Sequence, residues 1–274
     1  MKRYYFTLLL FAAITTVCAQ QNGVRPFTAA EKERWQKISD GLGAAFPKNY
    51  KDWRIDSCNC RDFSLWAEFN KARQPLTVVD NKNQPVGNHP YYEIKFIDET
   101  EETEQQLQQL EYDAVNNISD QAKYKALLAR QDKMRDCRQL RIHAFANYMI
   151  SSTAGYRANI KKTKLDIPIT GYAYLYTVPI GPELMAEDGG SVGQYDMHMD
   201  EALVIITPAP VKVISTPLTG KRNYIEDEVI PAKVPEPTMG PIKNIVIWIK
   251  GDEQRVRDVI NKTDWKALQA MIGK

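Results

Sequence analysis

Asp196-Met197-His198-Met199-Asp200 is the segment of this chain whose residue types could do the most chemistry. On an extended backbone, residues two apart point to the same side. Asp196, His198 and Asp200 would then share a face, and two carboxylates with one imidazole suit a hard or borderline divalent ion. Such a cluster is the core of one expectation, a metal-dependent hydrolase. His198-Met199-Asp200 also matches the H-x-D part of an iron facial triad, which needs a second histidine that only His89 or His143 could supply. The structural alternative is an acidic strand edge with Met197 and Met199 turned towards a core.

Other groupings carry weaker chemistry. Gly189-Gly190-Ser191-Val192-Gly193 has the G-x-S-x-G spelling of a serine nucleophile elbow. That device needs a strand before the serine and a helix after it. Here an acidic loop precedes Ser191, a strand-like stretch follows, and His198 is the only later histidine. The segment reads as a glycine turn, and no residue is assigned as catalytic. Tyr172, Tyr174 and Tyr176 fall two apart and form an aromatic stripe on one strand face. Such a stripe could stack on the apolar face of a sugar, although tyrosine is also a residue that packs well across a sheet. Cys58, Cys60 and Cys137 are too few for a disulfide scaffold. One bridge from Cys58 or Cys60 to Cys137 is the expected pairing, leaving one thiol over. Cys58-Asn59-Cys60 could offer two thiolates to a metal, but no further ligands stand near it.

The elements that must position these residues follow from periodicity and caps. Thr28 and Glu31 have the spacing of a capping box, opening a helix that Gly41 and Gly43 should end. Residues 91–97 alternate, with Tyr92, Ile94 and Phe96 on one face. Asp98 or Thr100 then starts a long helical region. Glu101, Glu102 and Glu104 sit in its first turn, where the helix dipole favours negative charge. Leu107, Leu110, Ala114 and Ile118 make a helical stripe, and Asn116-Asn117 allows either a kink or a two-helix hairpin. Residues 140–150 could be strand or helix, and their alternation favours a strand. Later strands are expected at 171–178, 202–207, 211–215 and 244–250. The last is apolar on both faces, which suits a central strand. Seven prolines between Thr207 and Pro241 point to edge strand or loop there. Asp252 and Asp264 can each cap a C-terminal helix.

The chain has 274 residues, with 36 Lys and Arg against 34 Asp and Glu. Lys2, Arg3, the apolar run from Phe6 to Val17 and the small residue Ala19 follow the order of a secretory signal peptide. The expectation is an exported protein, periplasmic or extracellular, cleaved after Ala19. Val17 argues against a lipid anchor at Cys18. Without Lys2 and Arg3 the charges balance, so nothing favours nucleic acid or an anionic membrane. No later run is apolar enough to span a bilayer.

The expected fold is α+β, with a mixed or antiparallel sheet covered by the long helical segment and the C-terminal helices. Residues 20–160 and 161–274 could form an N-terminal subdomain and a β-rich C-terminal subdomain, or residues 24–274 a single domain. The expected function is non-catalytic binding of a small molecule, glycan or envelope protein, with Tyr172, Tyr174 and Tyr176 as the platform. A hydrolase with a divalent metal at Asp196, His198 and Asp200 is the alternative; otherwise no cofactor is expected.

Overall fold

A computed structural model describes residues 29–58, 90–148, 152–154, 161–177, 199–218, 224–231 and 240–274. Its centre is a seven-stranded, wholly antiparallel sheet. In chain order the strands are β1 (Arg54–Cys58), β2 (Tyr91–Ile97), β3 (Gln139–Ala146), β4 (Ser152–Ala154), β5 (Lys161–Lys164), β6 (Gly171–Thr177), β7 (Asp200–Ile206), β8 (Val211–Leu218), β9 (Tyr224–Pro231) and β10 (Ile245–Gly251). The large sheet runs β1-β2-β3-β10-β7-β6-β5, and β4-β9-β8 form a second sheet of three. Strands from either side of residues 151–165 therefore lie in one sheet, with β3 directly against β10. The apolar 244–250 segment occupies the middle position, as its two-sided hydrophobicity predicts.

Five helices are described: α1 (Ala29–Ala44), α2 (Glu101–Asn116), α3 (Gln121–Asp136), α4 (Glu253–Lys262) and α5 (Trp265–Gln269). One face of the sheet is aliphatic. Ile94, Phe96, Leu140, Ile142, Val204, Ile206, Ile245, Ile247 and Ile249 are at most 1% exposed, and α1, α4 and α5 close over them with Leu42, Val256, Val259 and Leu268. The caps behave as the residue types dictate. Asp252 accepts from the Gln254 backbone N–H and Asp264 from that of Ala267, each satisfying a donor that the first helical turn leaves unpaired.

The first helix does not stop at its glycines. It continues to Ala44, with Gly41 and Gly43 inside it. The reason is packing: a Cβ on Gly43 would lie 2.7 Å from the Tyr92 ring. The missing side chain lets α1 settle onto β2, where Phe46 stacks on Tyr92 at 5.7 Å.

The 100–137 region forms two helices, tied to the sheet by Lys133 and Asp200. Among the described residues, none from α2 or α3 enters that core cluster. The pair packs chiefly on itself, through Leu107, Ala114 and Ala129. It is a long insertion between two paired strands: Ile97 faces Gln139 in the ladder, and the Asp98 backbone N–H donates to Arg138 O at 2.8 Å. The turn between the helices uses Asp120, which accepts from the Lys123 N–H as cap of α3.

Charged groups anchor the base of this hairpin. Asp98, 3% exposed, accepts from the Thr100 hydroxyl (2.7 Å), the Thr103 hydroxyl (2.8 Å) and Arg255 (3.4 Å). Burial acts to raise its pKa, but the threonine hydrogen bonds and the Arg255 charge outweigh it and hold the carboxyl below its usual range. Arg255 also donates to Cys137 O and lies over the Trp53 ring, with 4.5 Å to its centroid. Arg138 pairs with Glu104.

Candidate ligand-binding face

The other face of the large sheet differs in kind. Alternation puts Glu93 and Lys95 of β2, Arg141, His143 and Phe145 of β3, and Val246, Trp248 and Lys250 of β10 on the side away from α1 and α4, while Tyr91, at the start of β2, has the same parity but meets Trp35 of α1 edge-on at 5.7 Å. The register then aligns them across strands. Tyr91 pairs with Phe145 and Phe145 with Val246; Glu93 pairs with His143 and His143 with Trp248. Tyr148, just past β3, joins the cluster. Tyr91 stacks on Phe145 at 5.7 Å, Phe145 meets Tyr148 at 4.7 Å, and Trp248 stands edge-on to Phe145 (5.6 Å) and Tyr148 (5.4 Å). All four rings are half-buried, and Tyr148 and Trp248 pack against a second buried cluster of Tyr172, Tyr176, Leu203, Ile205 and Val246. Burial also raises the pKa of the Tyr148 hydroxyl, keeping it neutral and able to donate.

Strands β2, β3, β7 and β10 carry polar groups beside the rings. His143 Nε2 lies 3.7 Å from Glu93 Oε1, and Lys250 Nζ lies 3.4 Å from Glu201 Oε2. Glu201 is 6% exposed, and its Oε1 accepts no hydrogen bond from the described residues. Aromatic surface, imidazole, ammonium and carboxylates thus occupy one sheet face. Chemically, such a face can stack on an apolar surface while exchanging hydrogen bonds at its margin.

The tyrosine stripe of β6 flanks this surface. Tyr172 and Tyr176 are buried and their hydroxyls bond to each other at 2.5 Å; Tyr174 is half-buried. Lys162 of the edge strand β5 lies over all three rings, nearest to Tyr174 at 4.6 Å from its centroid. Of the three, Tyr174 alone presents a partly open ring. The half-open aromatic patch consists of residues that the sequence reading left out. Tyr91 and Phe145 were legible from alternation as lying opposite the core residues. Trp248 was hidden inside a strand that is apolar on both faces.

The other sequence candidates are placed as follows. Asp196, His198 and Ser191 lie outside the described residues. Asp200 is 1% exposed, with Lys133 Nζ of α3 at 3.2 Å from both carboxylate oxygens. It follows Ala202, Val204 and Ile206 in parity, so it belongs to the helix-covered side. Among the described residues no group of three His, Cys, Asp or Glu could hold a metal ion. Cys137 is a buried thiol, 4% exposed, and not half of a disulfide, so the expected bridge to Cys137 is not formed. Burial pushes that thiol up to about 12. Cys137 ends α3 beneath Arg255, among helix residues, whereas Cys58 ends β1 at the opposite edge strand. Cys58 is disulfide-bonded, to a partner outside the described residues.

A concavity of about 1080 Å³ lies between α3 and α4, lined by Tyr50, Arg130, Lys133, Met134, Arg255 and Lys262 among others. Its cations are largely engaged: Lys133 with Asp200, Arg255 with Asp98, Arg257 with Glu253 and Lys262 with Asp258. Its charges hold the helices together, so it is the weaker site candidate. No helix among the described residues is long and apolar enough to cross a membrane. Comparison with protein-family models, with curated proteins and with solved structures found no match.

Proposed function

We propose that this chain is an exported, non-catalytic binding protein whose ligand, a glycan or peptide, lies on the half-open aromatic surface of the sheet. The single observation behind this reading is the connected set Tyr91, Phe145, Tyr148 and Trp248, four rings left partly exposed on one face. An aromatic surface of this kind is costly to leave against water, so a protein that keeps it partly open has a use for it. Planar rings take the C–H face of a sugar or a peptide side chain. Glu93, His143 and Lys250 can bond the hydroxyls or amides at the rim. The export address supports a ligand met outside the cytoplasm.

The test is a glycan and peptide screen read by tryptophan fluorescence, repeated with Trp248→Ala followed on an extrinsic probe. A ligand whose affinity falls at least tenfold in Trp248→Ala and in Tyr148→Ala, with melting largely kept, supports the reading. A ligand whose binding ignores both substitutions places its site elsewhere and removes this one.

A further inference from the structure

We propose that the cleft between α3 and α4 is a second binding site of this chain, one that takes an oxyanion of the phosphate type, free or carried as an ester. It shares no residue with the aromatic face of the sheet. The cleft holds about 1080 Å³, and among the described residues that line it six are cations and three are carboxylates. Two of the carboxylates are matched within α4: Glu253 takes Arg257 at 2.8 Å and Asp258 takes Lys262 at 2.8 Å. The third, Asp252, accepts from the Gln254 backbone N–H as the cap of that helix. Lys133 and Arg255 are matched from behind, by the buried Asp200 and Asp98. Lys51 and Arg130 are left over, and neither pairs with a carboxylate among the described residues. The positions three and four away from Arg130 in α3 are Ala126, Leu127, Lys133 and Met134, so its own helix offers it no counter-charge. Asp52 follows Lys51 in the chain but does not line the cleft. Six cations against five carboxylates, the two buried ones included, leave the cleft positive, and a concave wall concentrates that field.

Lys51 adopts φ +47°, in the left-handed region where a side chain is disfavoured. A turn with no other task takes Gly or Asn there. Backbone held in such a conformation collects at functional sites, where the surroundings offset its cost. Here the strained residue carries one of the two unmatched cations. Its ammonium lies over the Tyr50 ring, 5.9 Å from the centroid, and Lys262 lies over the same ring at 5.7 Å. Two ammonium groups are thus gathered on one ring, with Arg130 on the α3 wall of the same cleft. An arginine presents a fork of donors that fits a pair of phosphate oxygens, and a lysine adds a point charge. Leu110 and Met134, both half-buried, also line the cleft and can take the organic part of an ester.

The experiment is titration calorimetry of the full chain with inorganic phosphate and with phenyl phosphate, at constant ionic strength in chloride. The expected result is saturable binding of at least one probe that weakens about fivefold or more in Arg130→Gln and in Lys51→Gly. Lys266→Gln, at an exposed position of α5 outside the cleft, leaves it unchanged. Lys51→Gly melts no lower than the parent, because glycine accepts φ +47° without strain, so its lost affinity is not lost folding. Tighter binding of phenyl phosphate assigns the cleft to an ester held through Leu110 and Met134; equal binding of the two assigns it to the oxyanion alone. Absence of saturable binding with both probes overturns the proposal. So does binding that ignores Arg130→Gln and Lys51→Gly, or that weakens equally in Lys266→Gln, which would be a general effect of surface charge.

Discussion

The two faces of the large sheet are built from the same strands and serve different ends. Towards α1, α4 and α5 the residues are aliphatic, packed to exclusion of water, and their neighbours are equally apolar. Towards the other side a second, smaller cluster of Tyr172, Tyr176, Leu203, Ile205 and Val246 is buried over β6, β7 and β10, and the half-buried rings and cross-strand polar pairs lie beside it. Ile247 and Trp248 show the contrast within one dipeptide. The first is 0% exposed in the core; the second stands edge-on to Phe145 and Tyr148 on the half-open side. A face that only needed to be stable would be filled as the first is. The second face packs Tyr148, Tyr174 and Trp248 against its buried cluster and leaves them half-buried.

The largest effect that would sharpen this contrast is on stability. Ile247→Ala opens a cavity where no side chain can collapse into it, and an unfolding loss of about 4 kcal/mol is expected. Trp248→Ala removes a half-buried ring and should lose roughly 1–2 kcal/mol while removing ligand affinity. Chemical denaturation of the two variants decides it: equal stability losses would mean that both faces are core. Next comes the charge link between the covered face and the hairpin. Lys133→Ala leaves the Asp200 carboxylate buried without its ammonium, at about 3 kcal/mol. Lys133→Ala/Asp200→Ala should recover part of that loss, and a double variant as weak as the sum would break the pairing argument. A smaller loss, about 2 kcal/mol, is expected for Gly43→Ala, since the added methyl overlaps the Tyr92 ring and α1 must lift. Unchanged melting would show that α1 has slack there.

The smallest expected effect is a pH dependence at the hairpin base. The Asp98 carboxyl is held below its ordinary value in the folded chain. Its stabilising contribution is therefore complete above the unfolded carboxyl pKa of about 3.9, and it is lost as pH falls through the folded value. Melting measured between neutral and acid pH should decline less steeply below about pH 4 in Asp98→Asn, which has no such carboxylate. An identical acid slope in both proteins would show that Asp98 does not contribute.

Much of the fold was legible because it rests on local rules. The alternation of Tyr92, Ile94 and Phe96, the two-sided apolarity of Ile245 to Ile249 and the capping aspartates at 252 and 264 all name their own structure. β1 and β5 were not legible. Both are short edge strands, polar on exposed positions, so the period-2 signal is absent; β5 is nearly all lysine, which also blocks further strand addition. Gly43 misled because a glycine near a helix end is normally a stop, and only the Tyr92 ring above it explains why the helix goes on. The candidate site was half legible. The tyrosine stripe was correctly placed on one strand, but two of its rings face inward against each other and a lysine.

By itself, then, the sequence determined which residues alternate, where helices begin and which strand must be central, because periodicity and capping act within a few residues. It could not determine which alternating segments become neighbours. β3 meets β10 across about a hundred residues, and that pairing brings Phe145, Tyr148 and Trp248 together. Lys133 reaches Asp200 for the same reason. Such contacts depend on closing long loops in a register chosen by the whole core, and only the tertiary structure makes that choice.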